Sequence, residues 1–168
     1  MKTVVMFDLG NTLERGGMVA EGAMEMLTAV QTMVDGDGDI PVAVLVSDFT
    51  MADSPAELPA LQQQYYAIVA QLGLAGFFHP FESRITLSTE VGVFKPDKVI
   101  FRRAIDKISA TIPFEHSMFL TESASHVAAS RVLGIVGVQL KMPGQNSADI
   151  DHLADFVPKV RSWLKLLS

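Results

Sequence analysis

The chain has 168 residues, no cysteine, 49% hydrophobic residues, 19% charged residues and a formal net charge of −6. That length and apolar fraction suit one globular domain, residues 1–168, with a core of its own. The lack of thiols excludes disulfides, thiolate catalysis and cysteine zinc sites, and the acidic balance argues against nonspecific binding to nucleic acid or an anionic membrane.

In chain order, short β-branched runs alternate with helical patterns, the signature of a parallel sheet with crossover helices. The apolar start is interrupted by Asp8, too early for a signal-peptide core, and no stretch approaches a membrane span, so the expected location is the cytoplasm. Strands are expected at Val4–Asp8, Val42–Ser47, Arg84–Leu87, Met118–Thr121 and Val136–Leu140. Helices are expected at Gly22–Val34, Leu61–Leu72, Lys98–Ile108, Val127–Leu133 and Pro158–Leu167, the last with a proline in its first turn. The first strand delivers one carboxylate, Asp8, to its C-terminal end, where α/β proteins place chemistry, and a Gly10-Asn11-Thr12 turn follows. Asp35-Gly36-Asp37-Gly38-Asp39 has the look of a calcium loop, but the sixth position is Ile40 instead of Gly and the twelfth is Val46 instead of Glu. It reads as a solvated turn at the sheet edge opposite Asp8. Thr50–Ala60 reads as loop. Tyr65, Tyr66, Phe77, Phe78 and Phe81 are expected mostly in the core, and His79, His116 and His152 receive no role.

Val4–Leu13 resembles the first motif of the haloacid dehalogenase (HAD) superfamily, Asp-x-Asp-x-Thr, whose first Asp accepts a phosphoryl group. Asp8 and Thr12 match. The second Asp, which serves the family as general acid and base, is Gly10 here. The resemblance continues in order. The strand ending at Val46 leads into Ser47-Asp48, where the family places Ser or Thr, often before Asn, to bond phosphate; Ser47 matches and Asp48 departs, adding negative charge. Glu90–Asp97, followed by Val99-Ile100-Phe101, resembles the third motif, whose Lys, here Lys95, neutralises nucleophile and phosphate together. Phe119–Ile135 resembles the fourth, with Glu122 at its first acid position and His126 at its second.

The resemblance implies a Rossmann-like three-layer α/β sandwich around a five-stranded parallel sheet of order 3-2-1-4-5, with Ala154–Val157 as a closing strand before the last helix. It implies a phosphatase working through an aspartyl-phosphate, with Asp8 and Lys95 catalytic and with Ser47, Asn11, Thr12 and Lys95 around the phosphate. Loss of general acid–base help would slow it by about 10²–10⁴. A divalent metal, Mg²⁺ or Mn²⁺, would be held by Asp8, the Gly10 carbonyl, Glu122 and His126. A histidine suits Mg²⁺ poorly, and the plainer role for His126 is to cap or cover the start of its helix. Both positions where relatives insert a cap, after Leu13 and between Leu87 and Lys95, are too short for one. The implied partner is a phosphorylated substrate, small or macromolecular, with a homo-oligomer as an option. The alternative is a catalytically degenerate binding or interaction module; a receiver-like domain is disfavoured by the Lys95-Pro96-Asp97 segment.

Overall fold

Strand β1 (Val4–Phe7) has no exposed residue, as expected of a strand flanked by two others and covered on both faces. The computed structural model describes residues 2–167. After β1 come a small hairpin of β2 (Glu14–Arg15) and β3 (Met18–Val19), helix α1 (Ala23–Gln31), β4 (Val42–Ser47) and α2 (Leu58–Gln71). Two single-turn helices, α3 (Ala75–Phe78) and α4 (Phe81–Arg84), lead to β5 (Ile85–Leu87), the short α5 (Ser88–Val91) and α6 (Lys98–Asp106). The chain closes with β6 (Ser117–Thr121), α7 (Ala124–Val132), β7 (Val136–Gln139) and α8 (Phe156–Leu166).

Five strands form one sheet in the order β5-β4-β1-β6-β7, every pair parallel. Counting only those five along the chain gives 3-2-1-4-5, as expected; the β2–β3 hairpin is the addition that the sequence did not announce. Alternation along the strands divides the core in two. Val5, Phe7 and Leu45 face one side, with Leu27 of α1, Val69 of α2 and Val160 of α8. Val4, Met6, Val44 and Val46 face the other, with Ile100, Phe101 and Ile105 of α6. Edge-to-face ring contacts, Phe7 with Phe156 at 5.8 Å and Phe101 with Phe119 at 5.1 Å, key the outer layers to the sheet. Tyr65, Tyr66 and Phe78 are buried in the core, and Phe77 and Phe81 pack against it.

Several local expectations are corrected. Helix α2 starts at Leu58, so the loop before it ends at Glu57, with Pro59 in the first turn where no N–H is missed. Helix α7 starts at Ala124, three residues early, because the Ser123 hydroxyl accepts the His126 N–H and caps it. Ala154–Val157 is no strand. Leu153–Asp155 is a 3₁₀ turn closed by the Asp155 carboxylate on the His152 N–H, and Phe156 already opens α8. The acidic 35–39 segment is the expected turn, organised by Asp35 Oδ1, which accepts the N–H groups of Asp37 and Asp39.

Helix α7 lies on β7 at Gly137, where a Cβ would sit 2.5 Å from Ser130 Oγ and 3.0 Å from the Val127 carbonyl oxygen. Backbone is in the way, so Gly137→Ala is expected to cost about 1–3 kcal/mol of stability, read as a lower midpoint of thermal unfolding. At Gly10 a Cβ meets nothing within 4 Å, and Gly10→Ala should leave the midpoint close to that of the parent.

Candidate active site

Because β4, β1 and β6 are adjacent and parallel, their C-terminal ends gather residues that are far apart in sequence. Asp8 lies one residue past β1, Ser47 is the last residue of β4, and Thr121 ends β6 immediately before Glu122. Asp8, Ser47 and Glu122 border a cleft of about 550 Å³ whose lining also includes Asp48, Lys95 and His126.

The floor of the cleft is an ion pair. Lys95 Nζ donates to Asp8 Oδ1 at 2.6 Å and to the Val46 carbonyl at 3.1 Å, and the two residues are only 6% and 8% exposed. The Lys95 backbone is equally constrained. Its N–H donates to Asp48 Oδ1 at 2.8 Å. Upstream, Glu90 of α5 accepts from Arg103 Nε at 2.9 Å and from Lys107 Nζ at 2.6 Å, tying the Lys95 segment to α6. Burial holds the Lys107 ammonium below its ordinary pKa, although Glu90 opposes the shift.

A second layer of hydroxyl groups orients the carboxylates. Thr121 Oγ1 lies 3.0 Å from Asp8 Oδ2 and 3.2 Å from Glu122 Oε2, and its single proton serves one at a time. Thr12 is fully buried; its hydroxyl donates to Glu122 Oε2 at 2.8 Å and accepts the Glu122 N–H at 3.2 Å. Thr12 therefore positions Glu122 and does not border the cleft. Asn11, expected near the phosphate, instead makes the turn: it is exposed, has φ 58°, and stays outside the cleft lining. The N–H groups of Leu13 and Glu14 then converge on the Leu9 carbonyl at 2.9 Å each. Asn is among the side chains that tolerate this left-handed backbone.

Ser47 is held by a partner that the sequence did not single out. The Tyr65 phenol donates to Ser47 Oγ at 2.5 Å. Burial raises the Tyr65 pKa far above the ordinary tyrosine range, and the Asp8 charge adds to the shift while the Ser47 bond opposes it. Tyr65 thus remains a donor, and Ser47 has its own proton free for the cleft. Thr121 could have been noticed as the neighbour of Glu122; Tyr65 had no signal separating it from other core aromatics.

His126 brings its imidazole to the cleft from the first turn of α7. The helix cap is Ser123, not His126. Burial and then the Lys95 charge lower the His126 pKa, while Asp8, Asp48 and Glu122 oppose the shift. Its Nδ1 is buried without a hydrogen-bond partner among the described residues. The expected metal set is not assembled: among the described residues no group of three or more His, Cys, Asp or Glu side chains could hold a metal ion. Of the expected set, Asp8 and Glu122 supply the carboxylate oxygens, and both are already engaged by Lys95, Thr121 and Thr12. That donor pair fits a cation that takes one or two carboxylates and fills its shell with water and substrate phosphate, the habit of Mg²⁺.

Removing Lys95 would strand a buried carboxylate. Lys95→Ala is expected to cost about 3–5 kcal/mol in denaturant unfolding, with a smaller loss when Asp8→Asn is already present; equal losses in both backgrounds would refute the coupling. For His126 the folded pKa is below the ordinary 6.5, so the unfolded chain binds more protons as pH falls past that value. Stability from this group is complete above about 6.5 and declines below it. His126→Gln should flatten the fall in thermal midpoint between neutral pH and pH 5.

No protein-family model and no curated protein matches the sequence. Solved structures do. An uncharacterised protein from Corynebacterium glutamicum ATCC 13032 aligns over 96% of this chain and 94% of its own, with 16% identity and a TM-score of 0.59. The core domain of a Streptococcus pneumoniae TIGR4 protein assigned as a phosphoglycolate phosphatase aligns over 96% and 97%, with 18% identity and a TM-score of 0.58. A protein from Bacillus subtilis assigned as a HAD-hydrolase, solved with magnesium bound, aligns over 86% of this chain and 57% of its own, with 17% identity and a TM-score of 0.61. The present chain thus spans little more than half of that last protein. Together with the parallel sheet and the site at its C-terminal edge, these similarities establish that the chain has the fold of the HAD-superfamily hydrolases.

Proposed function

We propose that this chain is a divergent, capless HAD-type phosphatase that uses Asp8 as nucleophile on a phosphomonoester. The observation that carries this reading is the buried Asp8–Lys95 pair at the floor of an open cleft. A lone carboxylate held at a strand end, with a cation and a hydroxyl beside it, is the arrangement that phosphoryl transfer needs. Only the hairpin of β2 and β3 separates Leu13 from α1, and only the short α5 lies between Leu87 and Lys95, which supports the capless reading.

In the first step an Asp8 carboxylate oxygen attacks phosphorus, the ester P–O bond breaks, and the leaving oxygen keeps the electron pair and takes a proton from water. In the second, water attacks the aspartyl-phosphate, phosphate leaves, and the Asp8 carboxylate is regenerated as the water's proton passes to solvent. Lys95 and the Ser47 hydroxyl neutralise and orient the phosphoryl oxygens, while Thr121 and Thr12 hold Asp8 and Glu122 in place. A divalent cation, Mg²⁺ with Mn²⁺ as the alternative, would be held by Asp8 and Glu122 and would add charge neutralisation at the phosphate. Gly10 supplies no acid or base, which leaves both proton transfers to water and predicts slow turnover on poor leaving groups.

The absent carboxylate at Gly10 is also the observation that favours a second reading, a module that binds a phosphoryl ligand without turnover. An assay with an activated aryl phosphate in Mg²⁺ or Mn²⁺ separates the two. The phosphatase reading expects metal-dependent release that Asp8→Asn abolishes. It also expects Gly10→Asp, at a position with free space for a side chain, to raise kcat on an unactivated ester by about 10²–10⁴. No release from the parent or from Gly10→Asp, with inorganic phosphate still bound, would establish the binding module instead.

A further inference from the structure

The cleft has an apolar wall that phosphate chemistry does not use. Tyr65, Ile68 and Leu72 follow one another at i, i+3 and i+7 in and just beyond α2, and this spacing places them on one helix face. All three border the cleft, as does Leu9, the residue after Asp8. Ile68 and Leu72 pack against the core but are only half-buried, so part of their apolar surface is left open to a ligand. The cleft volume of about 550 Å³ lies in the range of small-molecule sites, which combine an apolar wall with a few fixed polar groups.

Charge narrows the choice further. Four carboxylates, Asp8, Glu14, Asp48 and Glu122, border the cleft, and Lys95 is its only Lys or Arg among the described residues. Lys95 is committed to Asp8, and Glu122 is tied to the same floor through Thr121 and Thr12. Glu14 and Asp48 remain as uncompensated charge toward the open side. Glu14 accepts a backbone N–H from Gly17, and Asp48 accepts one from Lys95, but among the described residues neither has a cationic side chain within salt-bridge distance. A substrate carrying a carboxylate or a second phosphate would set that charge against theirs, without an arginine to receive it.

We infer that the natural substrate is a small phosphomonoester whose organic part is apolar and free of any second negative charge. This rests on the phosphatase reading above, of which it specifies the substrate class. The phosphate would sit over Asp8, Ser47 and Lys95, and the organic part would lie along Leu9, Ile68 and Leu72.

The test is calorimetric titration of the full chain, in Mg²⁺, with inorganic phosphate, methylphosphonate, benzylphosphonate and 4-carboxybenzylphosphonate, which are not hydrolysed. Benzylphosphonate should bind at least about tenfold more tightly than methylphosphonate, from ring burial, and about tenfold more tightly than its carboxylated twin, from like-charge repulsion. Ile68→Ala should reduce the first advantage while leaving inorganic phosphate binding unchanged. Glu14→Gln, which keeps an acceptor for Gly17, should reduce the second. Equal affinity for benzylphosphonate and either comparison compound, with inorganic phosphate still bound, would overturn the substrate class and leave the phosphate site standing. Failure of inorganic phosphate and all three phosphonates to bind would overturn the phosphate site itself, and the substrate class with it.

Discussion

The buried pair of Asp8 and Lys95 is the constraint that organises the rest of the structure. Two opposite charges under a sheet edge are tolerable only if each is matched in place, because the desolvation that weakens either ion alone is severe. Lys95 therefore needs the Val46 carbonyl as a second acceptor, and its backbone needs Asp48. The segment carrying it needs the Glu90, Arg103 and Lys107 cluster to fix it against α6. On the other side, Asp8 needs Thr121, and Thr121 brings Glu122 and Thr12 with it. One ion pair thus ties the ends of β4, β1 and β6 to the loop before α6.

Much of this was legible in the sequence because burial writes itself as pattern. The apolar runs ending in Asp8, Ser47 and Thr121 gave strand positions, and parallel pairing then brought their ends together whatever the loops did. Local hydrogen-bond chemistry was less legible. The Ser123 cap moved the start of α7 by three residues, and the Asp155 turn replaced an expected strand with helix. In both cases a single side chain accepting a nearby N–H outweighed the apolar pattern. At the site, the sequence located Asp8, Ser47, Lys95 and Glu122, but it assigned Thr12 and Asn11 to the phosphate when one is buried behind Glu122 and the other forms the turn. Sequence order carries the presence of a hydroxyl and not its direction. Tyr65 was invisible for a related reason: its ring belongs to the core and only its oxygen belongs to the site.

This division between structural and chemical duty bears on how the departures from the family pattern are understood. Lys95 satisfies the buried Asp8 and Thr12 the half-buried Glu122, so a chain that had lost all turnover would still keep them to remain folded. Their presence is therefore weak evidence for catalysis. Gly10 has the opposite character. It is exposed, nothing lies within 4 Å of where a side chain would start, and no buried group depends on it. A carboxylate there can be lost without a penalty in stability.

The groups that separate an enzyme from a relic are accordingly those with no structural employment. The Ser47 proton is one: Tyr65 occupies the oxygen as donor and leaves the hydrogen for the cleft, an arrangement that a purely structural serine does not require. The His126 imidazole is another, because its Nδ1 is buried at the cleft without a partner among the described residues although an orphaned polar atom is costly. Glu14 and Asp48 join them only in their charge: each accepts one backbone N–H, which a neutral amide could do as well, and among the described residues neither has a cationic side chain within salt-bridge distance. These groups lie around one cleft, beside an apolar wall that the core leaves half-covered. Folding alone does not call for an open surface of this kind, and the proposed phosphatase is the reading that gives these groups a use.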